Sequence, residues 1–305
     1  MSTNNPSIPL TQGKKHTTIG PLLVAGLLFL RFPFLIGVQM LLPEQPALLR
    51  TISMFVFIVG TYLLAAILIW WEREHLRDFW IDLAAGITFL CQIFCFPIGI
   101  GLFRAMRRHQ ARFPSPPANV WRWALFGGML AIACNIFIVS TGIAPRVPGL
   151  VSASLLVLFP SVLIQMTMAG VFEEPLFRGF IWGYLRRAQW KDGWIWLIQA
   201  LLFTLAHVYY LQTEALGPWF ARIMLPALLI GFIAWRAKSI FASMVTHAFF
   251  NASGDILLHT GSLQEGIGVG WTAILLLLVI FAGVSIVRWL RSRQTPAASR
   301  EGASV

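Results

Sequence analysis

The chain has 305 residues, 57% of them hydrophobic and only 11% charged, with a mean hydropathy of +0.74, whereas soluble domains carry about 25% charged residues. Apolar runs of membrane-spanning length recur along most of the chain, which excludes a soluble protein on a single anchor. The net charge of +11 is dispersed over short loops and tails, so no soluble basic domain exists to hold a duplex and nucleic acid is excluded as a partner.

A polar tail precedes predicted spans at about 20–42, 51–71, 80–103, 121–143, 151–185, 194–211, 218–235, 239–258 and 267–290. The expected fold class is all-α, a polytopic transmembrane helical bundle of about eight or nine membrane helices. The first span follows Lys14 and Lys15 but runs past Arg31 and Pro33 without an A-x-A cleavage pattern, so it reads as a retained helix. The fifth is longer than one bilayer thickness requires and is expected to tilt, kink near Pro160 or Pro175, or project past the interface. Basic segments set the orientation: Arg104, Arg107, Arg108 and Arg112; Arg186, Arg187 and Lys191; Arg236 and Lys238; Arg288, Arg291 and Arg293. These alternate with poorly basic loops around Arg146, Glu214 and Glu265, so the last six spans zigzag to a cytoplasmic C-terminus. In the N-terminal third, eight spans put Lys14 and Lys15 inside and nine put them outside, and the Arg31–Pro33 break or the run near Asp82 offers an interfacial or re-entrant piece. Cys91 and Cys95, four apart on an apolar helix, read as small packing residues.

Inside this apolar chain the run VFEEPLFRGF, Val171 to Phe180, places Glu173, Glu174 and Arg178 at bilayer depth. A charged side chain there costs about 2.5–3.5 kcal/mol even on the lowest scales, so each needs a partner or a function. Further polar groups follow in FTLAH (Phe203, His207) and HAFFN (His247, Asn251). Counting from the basic segments at 1.5 Å per residue, Glu173, His207 and Asn251 lie about 20 Å in and His247 about 14 Å, near the middle of the hydrocarbon layer. Side chains at one depth on neighbouring helices can converge. Glu174 and Arg178 are four apart and share a helix face, which leaves Glu173, rotated by about 100°, free to act as a general base. Pro175 removes a backbone donor and disturbs the carbonyl of Val171, opening the helix to water. His247 and Asn251 are again four apart and form a donor pair for a tetrahedral oxyanion, while His207 orients Glu173 or the water.

Taken singly, each element has a structural counterpart of comparable weight. Glu174 with Arg178 can be an ion pair within the bundle, Phe203 packing, His207 a bond to a neighbouring carbonyl, and His247 with Asn251 interhelical glue. Convergence at one depth favours a site. Asp255 continues the His247 face and reads as supporting at most; Asp82, Arg31, Cys134 and Asn135 read as structural. The chain lacks HExxH and G-x-S-x-G, and SGD at Ser253 to Asp255 lacks the leading glycine of GxGD. Two histidines, a glutamate and an asparagine could hold zinc, but asparagine is a poor ligand, so a site without metal or other cofactor is expected. A proton-coupled transporter would use similar residues but usually carries an internal repeat, and none is found.

EExxxR (Glu173, Glu174, Arg178), FxxxH (Phe203, His207) and HxxxN (His247, Asn251), in this order, resemble the CPBP family of CAAX proteases and bacteriocin-processing or immunity proteins, also called the type II CAAX prenyl endopeptidase or Abi family. The resemblance covers about residues 150–260. It implies an intramembrane glutamate-type endopeptidase in which residues matching Glu173 and His207 activate water. Those matching His247 and Asn251 form the oxyanion hole, and those matching Glu174 and Arg178 support them. It further implies a membrane-anchored peptide or protein tail as substrate, with a non-proteolytic immunity or scaffold protein as an alternative, while the residues themselves leave a zinc-dependent membrane protease as another. The chain then divides into a polar tail (1–18), N-terminal transmembrane helices (19–145), a catalytic transmembrane core (146–290) and a polar C-terminal tail (291–305). Short loops and polar tails point to a bacterial inner membrane.

Overall fold

The computed structural model describes residues 46–93, 113–144, 146–147, 149, 152–207 and 215–294, and these form an all-helical membrane bundle. Its helices are α1 (Pro46–Trp71), α2 (Leu83–Ile93), α3 (Val120–Ser140), the composite α4 (155–187), α5 (Asp192–Ala206), α6 (Leu216–Ala237), α7 (Ile240–His259) and α8 (Leu263–Gln294). Among the described residues three segments are long and apolar enough to cross a membrane unbroken: Val120–Ser140, Leu216–Ala237 and Leu263–Arg291. With no water in the bilayer to satisfy the backbone, helices are the form an apolar chain of this kind takes. Outward-facing Leu275, Val279 and Ile286 on α8 are exposed, as lipid contact requires.

The expected spans from residue 121 onward correspond to α3 through α8 within a few residues. The expected span at 80–103 instead starts with an irregular stretch: a short 3-10 turn, Leu76–Phe79, leads through Asp82 into α2. There the Asp82 carboxylate accepts a hydrogen bond from the backbone of Ala85 at 3.0 Å, capping the helix. The first span with its Arg31–Pro33 break, the side chain of Cys91, Cys95, the Arg104–Arg112 basic segment, the loop at Glu214, the N-terminal tail and residues 295–305 of the C-terminal tail lie outside the described residues.

At the centre runs α7, packed against α3, α4 and α6. Its start is set by Ser239, whose hydroxyl accepts from the backbone N–H of Phe241 at 3.1 Å, directly after Lys238 ends α6 in the left-handed region at φ 54°. Small residues let α3 and α7 approach: a Cβ on Gly127 would collide with the Thr246 side chain. Asn135 on α3 donates to the carbonyl of Phe250 at 2.5 Å and to the Ser253 hydroxyl at 2.9 Å, fixing the register of α7.

The end of α4 is anchored by a second polar cluster. Glu72, just beyond α1, accepts from the Tyr184 hydroxyl at 2.9 Å and from Arg187 at 3.0 Å, and Arg187 also donates to Asp78 at 2.9 Å. Alongside, Asp192 at the start of α5 accepts from Trp182 at 3.1 Å and pairs with Arg186 at 3.2 Å. The residues that mark the predicted cytoplasmic end of the span thus tie α1, α4 and α5 together.

Candidate active site

The helix bearing the two glutamates is not a uniform α-helix. Within α4, segments Leu155–Gln165, Val171–Glu174 and Trp182–Arg187 are α-helical, while Met166–Gly170 and Pro175–Ile181 are π-helical. Pro175 has no N–H to give to the preceding turn, and the wider i to i+5 pattern that follows carries the chain past that defect. The expected opening of the helix at Pro175 is therefore a widened turn, and Pro160 stays inside regular helix. At the other π segment Gly170 meets α7, where a Cβ would come within 3.2 Å of the Met244 backbone carbonyl.

Glu174 is paired through one of its oxygens, while its Oε2 and Arg178 Nε are buried without a hydrogen-bond partner among the described residues. Its Oε1 accepts from Arg178 Nη1 at 3.0 Å and faces His247 Nδ1 at 2.8 Å, and the Glu174 and Arg178 side chains are both fully buried. The arginine also donates to the Ala227 carbonyl of α6 at 3.3 Å and lies 4.4 Å from the centre of the Phe203 ring. One buried ion pair thus joins α4, α5, α6 and α7. Phe203 supplies the aromatic face beneath the guanidinium.

Glu173, on the adjoining face, is partly accessible at 17%. Oε1 lies 3.8 Å from His207 Nε2 and Oε2 lies 3.8 Å from His247 Nε2. Both separations exceed a direct hydrogen bond, and the buried Oε2 has no hydrogen-bond partner among the described residues. The two rings are oriented by their other nitrogens. His207 Nδ1 lies 2.8 Å from the Phe203 carbonyl, and since a carbonyl can only accept, Nδ1 carries a hydrogen and Nε2 faces Glu173. His247 Nδ1 donates to the Glu174 carboxylate on the same reasoning. The helix expected to continue to residue 211 stops at Ala206, and His207 caps it with a non-helical backbone. Trp219 on α6 donates to the His207 carbonyl at 3.0 Å and holds that end in place.

Asn251 sits one turn beyond His247 on α7. Its Nδ2 donates to Gln165 Oε1 at 3.2 Å, and Gln165 Nε2 donates in turn to Asp255 Oδ2 at 3.3 Å. The structure thus brings Glu173, His207 and His247 together, with Glu174, Arg178 and Phe203 behind them, and sets Asn251 next to them in a separate amide chain. Sequence reasoning missed Gln165 and Trp219. Gln165 had a signal, being the one side-chain amide in the apolar run 155–172; Trp219 had none. Among the described residues no group of three or more His, Cys, Asp or Glu side chains is arranged as a metal-ligand cluster.

Residues 155–253 match the family model for Rce1-like, type II CAAX prenyl endopeptidases. Over that third of the chain the helical core is similar to that family. The matched segment contains every residue of the three motifs, and the apolar helices around it make the chain an integral membrane protein. Comparisons with curated proteins and with solved structures gave no match.

Proposed function

We propose that the protein is an intramembrane endopeptidase that hydrolyses a peptide bond of a membrane-anchored peptide or protein tail, with Glu173 as general base and without a metal ion. The observation that carries this reading is the pair of 3.8 Å gaps between Glu173 and the Nε2 atoms of His207 and His247. With the His207 ring neutral, Glu173 Oε1 and His207 Nε2 are both acceptors, and a water lying to one side of them can donate one hydrogen to each, which leaves its lone pairs for the scissile carbonyl. On attack the new C–O bond forms, one water proton passes to Glu173, and the carbonyl electrons move to oxygen. His247 and Asn251 are the donors for that oxyanion. With Nδ1 already given to Glu174, His247 offers a hydrogen from Nε2 only as the imidazolium. Collapse of the intermediate breaks the C–N bond, and the leaving amine takes the proton held by Glu173, through His207 where the geometry requires it.

The basic ends of α4, α6 and α8 support a cytoplasmic C-terminus, and the short connections support a bacterial inner membrane. The test compares wild type with Glu173→Gln, purified in detergent, on membrane-anchored peptides with and without a zinc chelator. Cleavage by wild type alone that survives chelation is expected. Chelator-sensitive cleavage would move the site to zinc chemistry, and cleavage by Glu173→Gln would remove the glutamate from its role.

A further inference from the structure

We infer that Gln165, braced by Asp255, is a positioning residue that holds the Asn251 carboxamide in the one orientation that presents a hydrogen to the oxyanion. The inference rests on the endopeptidase reading for its purpose, and on the geometry of three side chains for its content. An Asp255 carboxylate can only accept, so the Gln165 group facing it at 3.3 Å is the amide nitrogen. That choice turns Gln165 Oε1 toward Asn251, which must then donate with Nδ2 at 3.2 Å. The amide nitrogen of Asn251 carries two hydrogens, and the second remains for a ligand. Without Gln165 the carboxamide can flip, and in the flipped state it presents an acceptor oxygen to a developing negative charge.

Helix geometry shows how Gln165 comes to this place. Gln165 and Glu173 are eight residues apart, a spacing that on a regular α-helix rotates them by about 80° from one another. The π turn Met166–Gly170 lies between them and takes up one extra residue, so that eight residues span the rotation of about seven, two full turns. Both side chains therefore reach α7 from one face of α4: Glu173 toward His247 and Gln165 toward Asn251.

The experiment uses the full chain, with kinetics on a cleaved membrane-anchored peptide and the side-chain amide signals of the protein labelled with 15N-asparagine. Five asparagines make that spectrum sparse, and Asn251→Ala identifies the signal by its loss. Gln165→Leu is expected to lower kcat about ten-fold at unchanged KM, as removal of one such hydrogen bond implies, and to shift the Asn251 signal. Gln165→Glu, nearly isosteric and so less exposed to misfolding, is expected to lose activity because its carboxylate faces Asp255. Combining it with Asp255→Asn reverses the donor direction between those two positions while keeping an acceptor for Asn251, and is expected to restore both kcat and signal. An unmoved Asn251 signal in Gln165→Leu, or a further loss of kcat when Gln165→Leu is added to Asn251→Ala, overturns the inference. A failure of the endopeptidase reading looks different: Asn251→Ala cleaves as wild type, or nothing cleaves, while the amide signal still moves with Gln165.

Discussion

The bundle holds two polar clusters on α4, and they are built to opposite specifications. At the end of the helix, Glu72, Asp78, Tyr184 and Arg187 are joined at 2.9–3.0 Å, and this arrangement uses charge to lock neighbouring segments. In the middle of the helix each glutamate has one buried oxygen unpartnered, but Glu174 is bonded through its other oxygen at 2.8–3.0 Å, whereas Glu173 is held 3.8 Å from two imidazoles. Paired charges rigidify a bundle, whereas a carboxylate held just beyond hydrogen-bond distance of its neighbours leaves room for a ligand or a reaction. The contrast between two adjacent glutamates, one fully buried and ion-paired, the other partly accessible and set beyond hydrogen-bond distance of two imidazoles, is the strongest physical argument for a reactive site.

The largest effect should come from testing that contrast directly. Glu173→Gln keeps shape and burial but removes the base, and should lower kcat by about 10³-fold while leaving thermal unfolding in detergent unchanged. If instead it unfolds the protein, Glu173 belongs to the structural class. Arg178→Met should do the reverse. It leaves Glu174 as a buried carboxylate without its guanidinium and should cost about 3–5 kcal/mol of stability, read by chemical or thermal unfolding. Adding Glu174→Gln should recover much of that stability, since a neutral pair needs no compensation, yet not the activity, because the carboxylate that orients His247 would be gone.

A smaller effect is expected at the other cluster. Arg187→Met removes two charge-assisted bonds from a side chain that is 12% accessible and should cost about 2 kcal/mol, with the rate per folded molecule unchanged. A change in rate would show that the helix end reports to the site.

The pairing of Glu174 with Arg178 was legible because an i to i+4 spacing survives wherever the backbone is near-helical, and the predicted spans at α3, α6 and α7 rested on plain hydropathy and on turn residues such as Ser239. The two π turns were not equally legible. Pro175 announces the second, but nothing in the hydrophobic periodicity announces Met166–Gly170, because a single extra residue shifts the apolar stripe by less than its own width. Gln165 was overlooked as a consequence, since on an unbroken α-helix it does not share a face with Glu173. Nor could spacing alone show that His247 faces both glutamates, bonded to Glu174 through Nδ1 and 3.8 Å from Glu173 at Nε2. That contact depends on how α7 is seated on α4, which is a property of packing at Gly170 and Met244 and of the close approach at Gly127.

The smallest effect separates the two contributions of Phe203. Its ring lies under the Arg178 guanidinium at 4.4 Å and against the His207 ring at 4.5 Å, whereas its carbonyl accepts from His207 Nδ1. Substitution can remove only the first of these. Phe203→Leu should therefore cost about 1 kcal/mol of stability through the lost cation–π contact, with only a modest loss of kcat, because the backbone carbonyl still dictates which nitrogen of His207 carries the hydrogen. The FxxxH spacing matters chiefly because a histidine four residues on, at the last turn of a helix, reaches back to that carbonyl. A loss of activity approaching that of Glu173→Gln at near-normal stability would contradict this division, and would put the aromatic ring in contact with the substrate.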